Sequence, residues 1–309
     1  MPIVIPKDIP AHKALTDENI FVMDSERANT QDIRPVEIAI VNLMPTKIET
    51  ETQLLRLLSN TPLQLNITFV HMSSHVSKNT AASHMEKFYV SYEDIKNRKF
   101  DGMIITGAPV EHLPFEEVTY WDELKKIFEF ADNNVTSTIY ICWAAQAALF
   151  YHYGINKVSL PSKMFGVFEN RKMVKFEPLL NGVDDTFYVP HSRHTHIETK
   201  DIVSNENLIA LAYSDDAGVS ILKSKDNKKI FITGHIEYDK FTLKNEYERD
   251  LNKGLEIEEP KNYFVNGDVN VIWRSTATIF YSNWLNYYVY QVTPYDLNEK
   301  IIIKKNYLL

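Results

Sequence analysis

At 309 residues, 44% of them hydrophobic and 24% charged, the chain has the balance of a soluble globular protein and is long enough to bury a substantial core in one large domain or two. A formal charge of −8 argues against a general nucleic-acid binder, and the single cysteine, Cys142, excludes an intrachain disulfide and fits a reducing compartment. No apolar run reaches transmembrane length, and the proline-broken opening Met1-Pro2-Ile3-Val4-Ile5-Pro6 lacks the basic leader of a signal peptide, so a cytoplasmic protein without a membrane anchor is expected.

In chain order, residues 1–34 read as an irregular arm packed on the core, with Pro2, Pro6 and Pro10 opposing early helix. Val36-Glu37-Ile38-Ala39-Ile40-Val41-Asn42-Leu43 is a buried, parallel-type strand. After Met44-Pro45-Thr46 a helix runs from Lys47 to about Ser59, with Leu54, Leu55, Leu57 and Leu58 on its apolar face. Leu63 to Val70 is a second strand, and the polar stretch His71 to Glu86 reads as a loop. The strand from Phe100 to Thr106 ends in Gly107-Ala108-Pro109; a helix follows from about Tyr120 to Asn134, then a strand that ends at Ile141. Beyond Gly154 come short β-rich pieces around Met164–Phe168, Phe187–Val189, Leu208–Tyr213 and Val219–Leu222, then the apolar run before His235, a charged helix from Phe241 to Leu255 and an aromatic-rich helix from Trp273 to Tyr290. The alternation of strand and helix in the first half predicts an α/β fold with a mostly parallel sheet flanked by helices. The later strands either extend that sheet or form an antiparallel appendage. The expected organisation is the arm, a single α/β domain over 35–298 and a tail over 299–309, whose Lys300-Ile301-Ile302-Ile303-Lys304-Lys305 is either a β-edge or disordered.

Two stretches carry chemistry. In Ser137-Thr138-Ile139-Tyr140-Ile141-Cys142-Trp143-Ala144-Ala145-Gln146 a β-rich run becomes a small-residue helix without a break, and the only cysteine sits at the switch. A residue at such a corner projects at the carboxyl edge of the sheet, where open α/β folds place their reactive groups. The start of the following helix favours thiolate over thiol. A small buried hydrophobe is the other reading of a lone cysteine. The second stretch, Lys229-Ile230-Phe231-Ile232-Thr233-Gly234-His235-Ile236-Glu237-Tyr238, reads as a strand ending in His-x-Glu. On extended backbone His235 and Glu237 point to one side, and a carboxylate beside an imidazole fixes its tautomer and stabilises its protonated form. Nucleophile, base and orienter are thereby all present.

These residues resemble the class I glutamine amidotransferase-like (flavodoxin-like) fold. Together with Val41-Asn42-Leu43-Met44-Pro45-Thr46-Lys47 and Thr106-Gly107-Ala108-Pro109, they are similar to the homoserine O-succinyltransferase/O-acetyltransferase family of methionine biosynthesis over nearly the whole chain. Glutamine amidotransferases carry glycines two before and two after the nucleophile. Tyr140 and Ala144 stand there in this chain, which suits the acyltransferase branch rather than a glutaminase or thiol hydrolase.

The resemblance implies acyl transfer in two half-reactions, with Cys142 attacking an acyl-CoA thioester and His235 then activating the homoserine hydroxyl. Acetyl-CoA is then a co-substrate, with no cofactor bound permanently. The backbone N–H of Trp143, just after the nucleophile, is one expected oxyanion donor, and Val110 is the second, since Pro109 has no N–H. Lys47 opens a helix, an awkward end for a cation, and the family counts it in the active site. The family's substrate-binding positions fall on Lys163, Ser192 and Arg249; the residues by themselves do not single out Arg249 from Arg193 or Arg274. In the family, glycine at the position of Glu111 goes with succinyl-CoA and glutamate with acetyl-CoA. A carboxylate there fills the volume of succinyl's extra carbons and repels its terminal charge.

His191-Ser192-Arg193-His194-Thr195-His196 has a metal-binding composition, but its spacing is not a helical i, i+4 pair and no metal is expected. The aromatic run Phe280-Tyr281-Ser282-Asn283-Trp284-Leu285-Asn286-Tyr287-Tyr288 reads as a core or a dimer face, which leaves room for a homodimer.

Overall fold

The computed structural model describes residues 3–18, 20, 22–24, 34–75 and 79–293. The chain enters as β1 (Ile3–Val4) and α1 (Pro10–Asp17), then builds β2 (Val36–Val41), α2 (Lys47–Leu58), β3 (Leu65–Val70), α3 (Ala82–Phe88), β4 (Tyr89–Val90), α4 (Tyr92–Ile95), β5 (Phe100–Ile105), α5 (Trp121–Asn134), β6 (Val135–Ile141) and α6 (Trp143–Tyr153). It continues through β7 (Val158–Lys172), β8 (Thr186–His196), α7 (Thr199–Val203), β9 (Leu208–Ser214), β10 (Gly218–Ser224), β11 (Lys229–Ile232), α8 (Thr242–Asn252), a small hairpin of β12 (Phe264–Val265) and β13 (Asp268–Val269), and α9 (Arg274–Asn283), which runs on in π-helical form over Trp284–Tyr290.

Strands β1 to β11 form one sheet in the order β1-β3-β2-β5-β6-β11-β10-β9-β7-β8, with β4 beside β3, and β12 pairs with β13 apart from it. Pairing is parallel from β1 through β11 and antiparallel from β11 to β8, so the later strands extend the sheet. Strand alternation divides the core between two faces. Ile38, Ile40, Ile104, Ile139 and Ile141 pack with Leu54, Leu55 and Leu58 of α2 and with Phe280 and Trp284. Ala39, Val41, Met103, Ile105 and Tyr140 pack with α5, which presents Leu124, Ile127, Phe128 and Ala131, and with α6. The first seven residues of α6 are all buried, which explains their small, apolar character.

Two expectations are corrected. Residues 1–34 are not irregular throughout: Pro10 takes the first position of α1, where a missing N–H and a fixed φ do no harm. The stretch 71–86 is not all loop, because α3 starts at Ala82 and buries His84 against Glu51, a partner 33 residues earlier. The aromatic helix expected over Trp273–Tyr290 is present, α-helical to Asn283 and π-helical from Trp284 to Tyr290. The tail expected over 299–309 lies outside the described residues. Among the described residues no helix is long and apolar enough to cross a membrane.

Candidate active site

Strands β6 and β11 are parallel neighbours, with Ile141 opposite Ile232, so the segments that leave their carboxyl ends emerge side by side. Cys142 is the first residue past β6. Its N–H donates to Ile232 O at 2.7 Å and its carbonyl accepts from Gln146 N–H at 3.2 Å, so it belongs to both sheet and helix. That double duty forces φ 50° and ψ −113°, a region L-residues rarely occupy. The strained corner turns the side chain out of the sheet at the start of α6, whose first N–H, that of Trp143, has no intrahelical acceptor.

The segment after β11 brings the imidazole. The backbone does not stay extended there: β11 stops at Ile232, and Tyr238 N–H closes a turn onto His235 O at 3.2 Å. The turn rather than strand alternation brings Glu237 back onto His235, with Nδ1 to Oε1 at 2.6 Å. The Cys142 side chain lies on the same side, with Cys142 Cβ and His235 Cε1 both flanking Gly107. Gly107 permits this approach, since a Cβ there would lie 3.3 Å from Cys142 Cβ and 3.4 Å from His235 Cε1. Gly234 lets the turn pass under β8, where a Cβ would meet Pro190 O and Val189 Cγ1 at 2.6 Å. Cys142, His235 and Glu237 are all buried, at 6%, 2% and 7% exposure. Burial pulls the His235 pKa down, but the charges of Cys142 and Glu237 and hydrogen bonds to both outweigh it, and the imidazole is held well above its ordinary value.

The other expected residues fall into two groups. Lys163, Ser192 and Arg249 converge on two acids of α8. Lys163 Nζ lies 3.1 Å from Asp250 and 3.5 Å from Glu246, Ser192 Oγ donates to Glu246 at 2.5 Å, and Arg249 Nε donates to Asp250 at 2.7 Å. Tyr238, Glu246 and Asp250 were not anticipated. Two acids at an i, i+4 spacing on a helix, following Glu237-Tyr238, are the signal that marks them. Glu111 and Lys47 lie elsewhere. Glu111 Oε2 is 3.5 Å from Thr195 Oγ1, which itself donates to Gln146 Oε1 at 2.8 Å. Lys47 is buried, and its Nζ donates to the carbonyls of Asn42 at 2.5 Å and Met44 at 3.4 Å; burial lowers its pKa to about 8 against the opposing charge of Glu51. Val110 is half-buried at the head of the loop after β5, two residues beyond Ala108.

The 191–196 segment is β-strand, and alternation sends its residues to two sides. His191, Arg193 and Thr195 point inward, with Arg193 Nε donating to His191 Nδ1 at 3.2 Å. Burial first, then the charges of Arg193 and His235, keep His191 neutral. His194 is on the other side, with its ring 4.7 Å from that of His112. Among the described residues no three His, Cys, Asp or Glu side chains cluster as a metal site.

A profile of the homoserine O-succinyltransferase family matches residues 2–295. The chain is 58% identical to a homoserine O-acetyltransferase of Lachnoclostridium phytofermentans, across 96% of this chain and 100% of that one. It is 57% identical to one of Acetivibrio thermocellus, across 97% and 99%. A glutamine amidotransferase structure from Thermotoga maritima superposes with a TM-score of 0.53 at 11% identity, covering 82% of this chain and 98% of that one. This last likeness bears on the fold, a class I glutamine amidotransferase-like sheet.

Proposed function

We propose that this chain, which belongs to the homoserine O-succinyltransferase family, is an acyltransferase that moves an acetyl group from acetyl-CoA to the hydroxyl of L-homoserine, giving O-acetyl-L-homoserine and CoA in methionine biosynthesis. The observation that carries the mechanism is the convergence of Cys142 and the hydrogen-bonded His235–Glu237 pair at the carboxyl edge of the sheet. Cys142 attacks the thioester carbonyl as thiolate, and the oxyanion is held by the N–H groups of Trp143 and Val110. The carbon–sulfur bond to CoA breaks, and the His235 imidazolium gives its proton to the departing thiolate. Neutral His235 then takes the hydroxyl proton of homoserine, whose oxygen attacks the acetyl-enzyme, and the Cys142–acetyl bond breaks to restore thiolate and imidazolium. Glu237 keeps the ring oriented and its charge balanced throughout.

The acceptor is a zwitterion. Glu246 and Asp250 suit its ammonium, and Lys163 and Arg249, with Ser192, suit its carboxylate and hydroxyl. These groups pair with one another, so homoserine has to exchange its own contacts for theirs. Glu111 is the reason to favour acetyl over succinyl as the acyl group. Lys47 acts indirectly, by pinning the carbonyls of the loop after β2. Steady-state kinetics with acetyl-CoA, succinyl-CoA and homoserine tests the assignment: parallel double-reciprocal lines with acetyl-CoA preferred support it, and intersecting lines or a succinyl preference oppose it.

A further inference from the structure

A crevice of about 200 Å³ opens beside the loop that carries Val110, and none of the residues assigned to homoserine or to the triad lines it. Its place in the sheet is distinctive. From β2 the chain first moves outward to β3, then returns to β5 on the other side, so the strand order reverses between β2 and β5. Segments leaving two strands on either side of such a reversal diverge, and the gap between their carboxyl ends is where open α/β sheets bind ligands. The crevice is walled by the segments that follow β2, β3 and β5.

The lining suits one class of ligand. Met44, Met72 and Met85 supply flexible apolar walls that adapt to a chain of methylenes. His71 and Asn79 add polar groups for isolated amides, and no carboxylate lines the space. The volume is below the roughly 300–1,000 Å³ of sites that enclose a drug-sized molecule. It fits a narrow segment of a long substrate and not a nucleotide. We propose that this crevice seats the pantetheine arm of the acyl-CoA, delivering the thioester to Cys142 past the Val110 loop. The inference rests on the acyltransferase reading above. The sulfur of CoA and the hydroxyl of homoserine must visit the same carbonyl carbon in turn. The bodies of the two substrates are held by different walls, the arm by this crevice and the amino acid by Lys163, Ser192, Glu246 and Arg249.

Filling the crevice from two walls tests this, with Met85→Trp on α3 and Asn79→Trp at its exposed rim. Each is expected to raise KM for both acetyl-CoA and acetyl-pantetheine by about tenfold or more. Each is expected to leave KM for homoserine, and the rate at which p-nitrophenyl acetate acetylates Cys142, within about twofold. An unchanged KM for acetyl-CoA in a folded variant overturns the proposal. So does an equal loss with p-nitrophenyl acetate, which has no arm, or a loss with acetyl-CoA that spares acetyl-pantetheine. Failure of the unsubstituted protein to form acetyl-Cys142 from either donor overturns the acyltransferase reading instead, so the two failures are distinct.

Discussion

Tyr238 lies flat against His235, with ring centroids 4.1 Å apart and planes 16° apart, while its hydroxyl donates to Glu246 Oε1 at 3.0 Å. One side chain thereby joins the imidazole to the acidic cluster assigned to the amino-acid acceptor. Its ring stiffens the base, and its hydroxyl fixes the acid that Ser192 and Lys163 also engage.

Tyr238→Phe separates these roles, because the stack stays and the hydroxyl goes. A hydrogen bond to a charged group contributes about 1.5–3 kcal/mol, so KM for homoserine is expected to rise roughly tenfold or more. The first half-reaction, read as CoA released from acetyl-CoA alone, keeps its rate. A fall in acetylation rate with homoserine KM unchanged contradicts the assignment of Glu246 to the acceptor.

Glu237→Gln removes the charge that balances the imidazolium, and kcat is expected to fall about 10²-fold, the low end of what positioned proton transfer contributes. The pH dependence has a definite sign. The His235 pKa is raised in the folded protein, so its stabilisation is present below the ordinary value of 6.5 and is lost as pH rises through the elevated folded value. The stability gap between native protein and Glu237→Gln is therefore largest near pH 6 and narrows as pH climbs, which paired denaturation curves measure. NMR titration of the His235 ring should show its pKa lower in the variant.

Glu111→Gly tests donor selection. Removing the side chain opens volume and deletes a negative charge, so kcat/KM for succinyl-CoA relative to acetyl-CoA is expected to rise by about tenfold or more, or 1.4 kcal/mol. An unchanged ratio removes Glu111 from donor choice.

Gly234→Ala tests whether close packing aims the base. A methyl at this position meets backbone and side-chain atoms at 2.6 Å, so the His235 turn must shift. Overpacking of this kind costs about 1–3 kcal/mol of stability. The same displacement separates His235 from Cys142, and turnover should fall more steeply than the melting point alone accounts for.

The strand-to-helix corner at Cys142 was legible because a β-rich run met an alanine-rich helix at the only cysteine, a local pattern. His235 and Glu237 were legible as a pair, although extended backbone was the wrong reason: Gly234 and the Tyr238 N–H to His235 O bond make a turn that brings the same two side chains together. The parallel half of the sheet was readable from runs such as Val36–Val41, apolar on both faces. Helix α3 was not, because its apolar edge is only Met85 and Phe88, and its one buried side chain, His84, meets a polar partner, Glu51, on another helix. The i, i+4 spacing marks Glu246 and Asp250 as a pair, but their meeting with Ser192 and Lys163 comes from α8 docking on residues more than fifty positions upstream, which that spacing does not encode.

The most direct measurement is intact-protein mass spectrometry after mixing with acetyl-CoA and no homoserine. One acetyl group should appear on Cys142 with stoichiometric release of CoA, and homoserine added afterwards should discharge it as O-acetylhomoserine. CoA release that waits for homoserine, or turnover that persists in Cys142→Ala, would contradict a covalent shuttle at this cysteine.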